Sequence, residues 1–512
     1  MQSPQNSSKK TFFVLGLLLL VAITVVAAWQ EQIILVLGGV LALLGGIYLY
    51  QKPELATVVF ASVFYSNAAV LAYQFHGVPQ IVAAAVPLLL GLPLAYYIFV
   101  RREGIVFDRV LLLMSVYLLS LILATLAAKD VVLGLNEIGN YFLEGVVLYF
   151  LVLNVIRNLT TLQRVFWALV FVCSLLGALS IFQELTNTYD KNYWGFAQRK
   201  KSIDFEELDY EEYSGAKRAE GPVGEQNRYA QIMVVVLPLA LYLFMTARTP
   251  RRKWLALAGA GLTLAGVLLT FSRGTFLALG LVFFLIMCLG YIRPRHALAG
   301  GLALVVVVAL ALPDYINRVV GLLDIAKLQT ASSDTRTLDG SLRGRFAQNL
   351  AALYVFADYP LVGVGPAHFS KFYVLRYGNA VGTKYLRGER RAHNMYLEQA
   401  ANTGMIGFAA FMAIVLFILW RLWRARQHFR FYHPNLANLA TALGLSIISY
   451  LATAVFLHLS YQRYYWFLLA LAGATLQILT KAAAEAKTVA TQPAERPAAI
   501  AEPSPEALSN ES

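Results

Sequence analysis

The feature that most constrains this chain is a recurring apolar block of about 17–22 residues. That length carries a helix through a ~30 Å hydrocarbon layer at 1.5 Å rise per residue. Fourteen blocks can be drawn, over 11–28, 33–50, 55–75, 79–99, 109–128, 138–158, 164–183, 227–247, 254–271, 274–291, 297–313, 403–422, 436–457 and 463–480. A bilayer offers no water to backbone N–H and C=O groups, so such segments are stable as helices that close their hydrogen bonds internally. The expected fold class is an all-α polytopic membrane protein with about 14 transmembrane helices. The range is 12–14, because the first two blocks are poorly separated. Composition supports this: 58% of the 512 residues are hydrophobic and 14% are charged, where a soluble domain carries about 25% charged residues. A soluble enzyme, a secreted disulfide scaffold and a disordered chain are excluded.

The net charge of +13 does not imply nucleic acid, because Lys and Arg gather in the inner loops of membrane proteins. Basic loops alternate along the chain: Lys9-Lys10, Lys52, Arg101-Arg102 with Arg109, Arg157 with Arg164, Arg248 to Lys253, Arg293 to His296, and Arg421 to His433. This alternation puts both termini in the cytoplasm. The apolar run after Met1–Lys10 is expected to be a retained helix and not a cleaved signal. Cys173 and Cys288 both lie inside apolar blocks, which gives no disulfide framework and no cysteine metal site.

Residues 1–10 are then a cytoplasmic N-terminus, 11–183 and 227–313 two sets of spans, 403–480 the last spans, and 481–512 a disordered Ala/Pro/Glu-rich tail. Two longer hydrophilic segments, 184–226 and 314–402, fall on the outer side. The first holds six Lys/Arg against ten Asp/Glu, and the second eleven against seven. The second is domain-sized, and its basic balance suits an anionic ligand. Within it, Gly344 to Tyr359 reads as a helix with Phe346, Leu350, Leu353 and Phe356 on one apolar face, ended by Pro360. His393 to Thr403 reads as another helix, leading toward Gly404 and the next span.

Several residues have the chemistry of a site. Arg273 stands in the short turn of LLTFSRGTFLALG between two apolar blocks. An ionisable group at that depth is costly and points to function, although snorkelling to the interface is the plainer explanation. Its planar fork matches a phosphate. Arg343 and Arg345 open the large-loop helix, where a cation opposes the helix dipole unless an anion is bound; two solvated loop charges are the alternative. His393 is crowded by Lys384, Arg387, Arg390 and Arg391. That positive surrounding favours the neutral imidazole, which can accept a proton; a helix-terminal structural histidine is the alternative. Arg218 precedes a Gly-Pro turn with Glu220, Glu225, Asn227 and Arg228. No HExxH, GxSxG, Walker A or DxD-type acid pair occurs in an outer loop, so no metal and no cofactor is expected.

Four segments in order, RAEGPVGEQNRYAQ (218–231), FSRG (271–274), GRF through YPLVGVGPAHF (344–369) and AHNMYLEQAANTGMIG (392–407), resemble the O-antigen ligase family of bacterial inner-membrane glycosyltransferases. The resemblance covers roughly 212–425. It implies that 314–402 is a large, partly helical periplasmic catalytic loop and that glycan is transferred en bloc from undecaprenyl pyrophosphate to lipid A–core oligosaccharide. The partners are then the lipid-linked donor, the lipid A–core acceptor and membrane lipids, with no nucleic acid. It carries catalytic roles to Arg273, Arg345 and His393. Arg273 and Arg345 would bind the pyrophosphate, with Arg218 beside them, and His393 would act on the acceptor hydroxyl with inversion at the anomeric carbon. Lys384, Arg387, Arg390 and Arg391 could hold phosphates of the acceptor lipid. An O-antigen polymerase, a protein O-oligosaccharyltransferase and, as a non-enzyme, a transporter remain open.

Overall fold

The structure is a computed structural model that describes residues 44–80, 83, 86–198, 218–293, 295–296, 301, 340–380, 390–459 and 461–491. Those residues are helical or irregular, with no strand among them. Apolar blocks within these residues became helices: 109–128 is Arg109–Leu126, 164–183 is Leu159–Thr186, and 436–457 is Pro434–Thr453. Among the described residues, seven helices are long and apolar enough to cross a membrane, or eight if Pro53–Tyr65 and Ala68–His76, bent by 54°, count as one span. The expected block at 11–28, most of 33–50, and nearly all of 297–313 lie outside the described residues. The Arg273–Cys288 helix has 16 residues, about 24 Å, which is short of a bilayer core.

Polar caps set where the helices start. Asp108, Asp130, Asn158 and Thr249 each accept a hydrogen bond from the backbone N–H three residues on, which satisfies a donor the first turn leaves unpaired. Small residues let the helices approach closely. A Cβ placed on Gly177 would stand 2.1 Å from the Leu262 carbonyl oxygen, so the Leu159–Thr186 and Pro250–Leu268 helices touch backbone to backbone there, the packing that apolar solvent favours.

The loops separate into two ends. At the basic end, Arg157 pairs with Glu103 at 2.8 Å, Arg164 pairs with Glu54, and Tyr149 donates to Asp108 at 2.7 Å. The other end gathers the 127–131 turn, segments 218–225, 269–274, 363–368, 390–395 and 454–459, and Tyr461.

The large loop differs from expectation in the face its helix buries. Its first described helix is Gly340–Asp358, and the buried face is Ala347, Gln348, Ala351, Ala352 and Val355, whereas Phe346 is 69% and Leu353 49% exposed. Two of the four residues on the apolar face read from sequence, Phe346 and Leu353, therefore turn outward, while Leu350 and Phe356 are half-buried. Ala347, Ala351 and Val355 pack with Val364, Phe369, Tyr373, Ala392 and Ala401. The 363–371 part of the loop rests on the 127–131 turn. His368 is fully buried; its Nε2 accepts from Asp130 N–H at 3.0 Å, and Nδ1 lies 2.8 Å from the Pro366 carbonyl, so Nδ1 carries the proton. Lys371 stands 3.7 Å from the Asp130 carboxylate. The Leu133 N–H, with the Lys371 ammonium adding, holds the Asp130 pKa below its ordinary value.

Candidate functional site

His393 does not lie in a helix. Its φ is +49°, a left-handed conformation that histidine adopts more readily than most residues. Asn394 is the N-cap of the Met395–Phe429 helix, and its side chain accepts from Tyr396 N–H at 3.0 Å and Leu397 N–H at 3.1 Å. Glu398, buried one turn inside, reaches back: one carboxylate oxygen takes Ala392 N–H at 2.9 Å and the other takes Arg391 Nε at 2.8 Å. The turn from Arg391 to Asn394 is thus braced from both sides, which fixes where the imidazole is presented. Glu398 and Asn394 are readable as cap residues from their spacing, but the brace to Arg391 is a property of the fold.

The 454–458 segment joins the distant motifs. Met395 N–H donates to the Ala454 carbonyl at 2.9 Å, and the His393 and His458 rings lie 5.4 Å apart, centroid to centroid, at 66°. On its other side Phe456 packs over Gly274, so closely that a Cβ there would stand 2.7 Å from the ring. Gly274 follows Arg273, so one short segment has the His393 turn and the Arg273 turn as neighbours. Ser272 caps the helix that Arg273 begins, and Phe271 has φ +51°. Ala219 N–H donates to the Leu269 carbonyl at 3.0 Å, which places the Arg218 segment beside the same turn.

The sequence marks Arg228 only as a neighbour of the Arg218 turn and assigns it no role of its own. Arg228 is 2% exposed. Nη1 donates to Gln231 at 2.8 Å, Nη2 donates to the His458 carbonyl at 2.7 Å, and Glu225 lies 3.9 Å from Nε. Glu225 also caps the helix, accepting from Asn227 and Arg228 N–H. Gln231 continues the chain to Thr453 Oγ1 at 2.8 Å. A buried cation in this arrangement holds the 453–458 segment in place. His458 stands at the end of the 436–457 apolar block, and no local signal in the sequence distinguishes it. Replacing Arg228 with Met should leave the His458 carbonyl and the Gln231 amide oxygen without their donor, costing about 1–3 kcal/mol for each. Thermal unfolding in detergent checks this; an unchanged midpoint would mean the guanidinium does not hold the segment.

Arg345 is half-buried in the second turn of its helix, two residues before Ala347, which shares a packed cluster with Ala392. The Arg343 side chain, Lys384 and Arg387 lie outside what is described. Arg390 and Arg391 are half-buried, and Arg391 lines a cavity of about 40 Å³ with Tyr117, Glu137, Gln399 and Gln462. Among the described residues no group of three His, Cys, Asp or Glu could hold a metal ion.

The structure thus sets the Arg273 and His393 turns beside 454–458, with the Arg218 segment next to the Arg273 turn, and it places Arg345 on a helix that shares a packed cluster with Ala392 of the His393 turn. No curated protein matches the chain. Residues 258–412, which carry Arg273, Arg345 and His393, match the family model described as O-antigen ligase, the family that the four ordered motifs resemble.

Proposed function

We propose that the protein is an O-antigen ligase, transferring glycan en bloc from undecaprenyl pyrophosphate to a sugar hydroxyl of lipid A–core oligosaccharide at the periplasmic face of the inner membrane. The family match supports a membrane glycosyltransferase of ligase or polymerase type. The observation that carries the mechanism is the shared 454–458 segment, flanked by the Arg273 turn and the His393 turn. Arg273 and Arg345, with Arg218 beside them, bind the pyrophosphate and stabilise charge on the leaving group as the glycosidic bond breaks. His393 takes the proton of the acceptor hydroxyl. The hydroxyl oxygen attacks the anomeric carbon opposite the departing pyrophosphate, so configuration inverts. Arg390 and Arg391 lie in the His393 turn, where acceptor-lipid phosphates would arrive; Lys384 and Arg387 are placed in the same role on sequence alone.

Deletion of the gene separates this from polymerase activity on the same donor. A ligase deletion leaves bare lipid A–core while full-length lipid-linked glycan accumulates. Core bearing single repeat units would make the protein a polymerase.

Two further results are expected. Arg273→Lys should be nearly as inactive as Arg273→Ala, because lysine keeps the charge and loses the two-pronged donor; substantial retention of transfer by the lysine variant would replace the bidentate contact by a diffuse charge. Transfer by purified protein should continue in excess chelator, since arginines supply the electrostatic role of a metal. Loss restored by magnesium would overturn that assignment.

A further inference from the structure

A groove of about 400 Å³ opens at the basic end, between the end of the Leu237–Thr246 helix and the start of the Pro250–Leu268 helix. Its walls are Phe244, Arg248, Pro250, Lys253, Trp254 and Leu257. It lies at the opposite end of the Pro250–Leu268 helix from the Arg273 turn, and nothing in the proposed reaction uses it. One wall is apolar and outward: Trp254 is 70% and Leu257 47% exposed. The mouth carries two cations.

Charge decides what fits. Arg157 and Arg164, at the same end, have Glu103 and Glu54 as partners. By contrast, no Asp or Glu occurs from Gln226 to Pro313, a stretch that contains Arg248, Arg251, Arg252 and Lys253. A soluble anion would satisfy the cations but not an exposed indole and leucine beside them. A neutral lipid would satisfy the wall but not the cations. Trp at the headgroup level, with Lys or Arg reaching the phosphate and apolar residues below, is the arrangement that an anionic lipid matches along its length.

We propose that this groove binds an anionic phospholipid, with its phosphate between Arg248 and Lys253 and an acyl chain along Trp254 and Leu257. The site is separate from the transfer site and independent of which glycan reaction the protein performs.

The test uses the full-length protein, purified in detergent and offered an equimolar mixture of phosphatidylglycerol and phosphatidylcholine with identical chains, with retained lipids counted by native mass spectrometry. Preferential retention of phosphatidylglycerol is expected. Each cation near an anionic headgroup is worth about fivefold in affinity, so Arg248→Gln with Lys253→Gln should erase the preference. Arg251→Gln with Arg252→Gln removes the same charge outside the groove and should keep it. Trp254→Ala should lower retention of phosphatidylglycerol with the cations intact. Thermal unfolding of each variant confirms that these surface changes leave the fold unaltered. Equal retention of the two lipids by the wild type, or equal losses in the two double variants, would overturn the proposal. Displacement of phosphatidylglycerol by millimolar inorganic phosphate alone would make the groove a free-anion site and overturn it as well.

Discussion

His393→Ala is expected to abolish glycan transfer while leaving binding of the lipid-linked donor largely intact. The two jobs separate on physical grounds. The arginines meet an anion that is fully charged before reaction, so their loss weakens donor binding as well as catalysis. An imidazole acts on a hydroxyl that becomes a better nucleophile only as its proton leaves. General base catalysis typically contributes ~10²–10⁴-fold, enough to make a cell carrying the variant look like a deletion. His393→Gln sharpens the test, because glutamine can hold a hydroxyl by a hydrogen bond but cannot take its proton. It should be inactive if the proton is transferred to His393 and partly active if the residue only orients the acceptor. The turn around it is braced by Asn394 and Glu398, so either substitution should leave the backbone in place. Donor binding and transfer are measured on the same two variants. Donor binding lost in step with activity, or normal transfer by the alanine variant, would remove His393 from the acceptor side.

Gly404→Ala should unfold the junction between the large loop and the membrane helix. Gly404 has φ +62° and ψ −168°, a region essentially reserved for glycine. A Cβ there would stand 2.4 Å from the Leu361 carbonyl carbon and oxygen, and one on Gly363 would stand 2.5 Å from Asn402 and Thr403 backbone. The two chains cross with nothing but backbone between them. The crossing repairs a broken helix. Met405 and Ile406 N–H, which lose their partners one turn back, donate to the Pro360 and Leu361 carbonyls at 2.7 and 3.2 Å; Ala401 and Asn402 carbonyls accept from Val364 and Gly365 N–H at 3.1 and 2.9 Å. An alanine forces the chains apart and strains its own backbone. At about 1–3 kcal/mol for strain and about 1 kcal/mol for each displaced hydrogen bond, the cost is on the order of 3–5 kcal/mol. Thermal unfolding and protease sensitivity across 359–404 measure it. Gly261→Ala is the control, because nothing lies within 4 Å of that position. Equal behaviour of the two variants would mean that the crossing is not tight.

Glu398 and Arg391 show what short-range sequence can and cannot reveal. Asn394 followed by apolar helix residues marks a start, and an acidic residue one turn on suits that end of a helix. The same residues do not say that the carboxylate turns back to clamp Arg391. That depends on the preceding chain doubling over the first turn, which a left-handed His393 allows.

What the sequence by itself determined is where helices run and which end of them is charged. Block length answers to bilayer thickness and charged residues to the turns between blocks, and both are local quantities. Arg273, Arg345 and His393 could be picked out as candidates because the turns and charges around them are local, and their proposed roles came from the resemblance of the ordered motifs. Which face of a helix turns inward was decided by tertiary structure alone. In Gly340–Asp358 the large apolar residues Phe346 and Leu353 point out, and Ala347, Ala351 and Ala352 point in. Small side chains face in because Val364, Phe369, Tyr373 and Ala392 pack against that side, and those partners are brought there only by the fold. The same holds for Arg228 and His458, which stand 230 positions apart in the chain and meet through one 2.7 Å hydrogen bond. No spacing rule connects them. Only the folded bundle brings the end of one span against the start of another and so sets His458 beside His393.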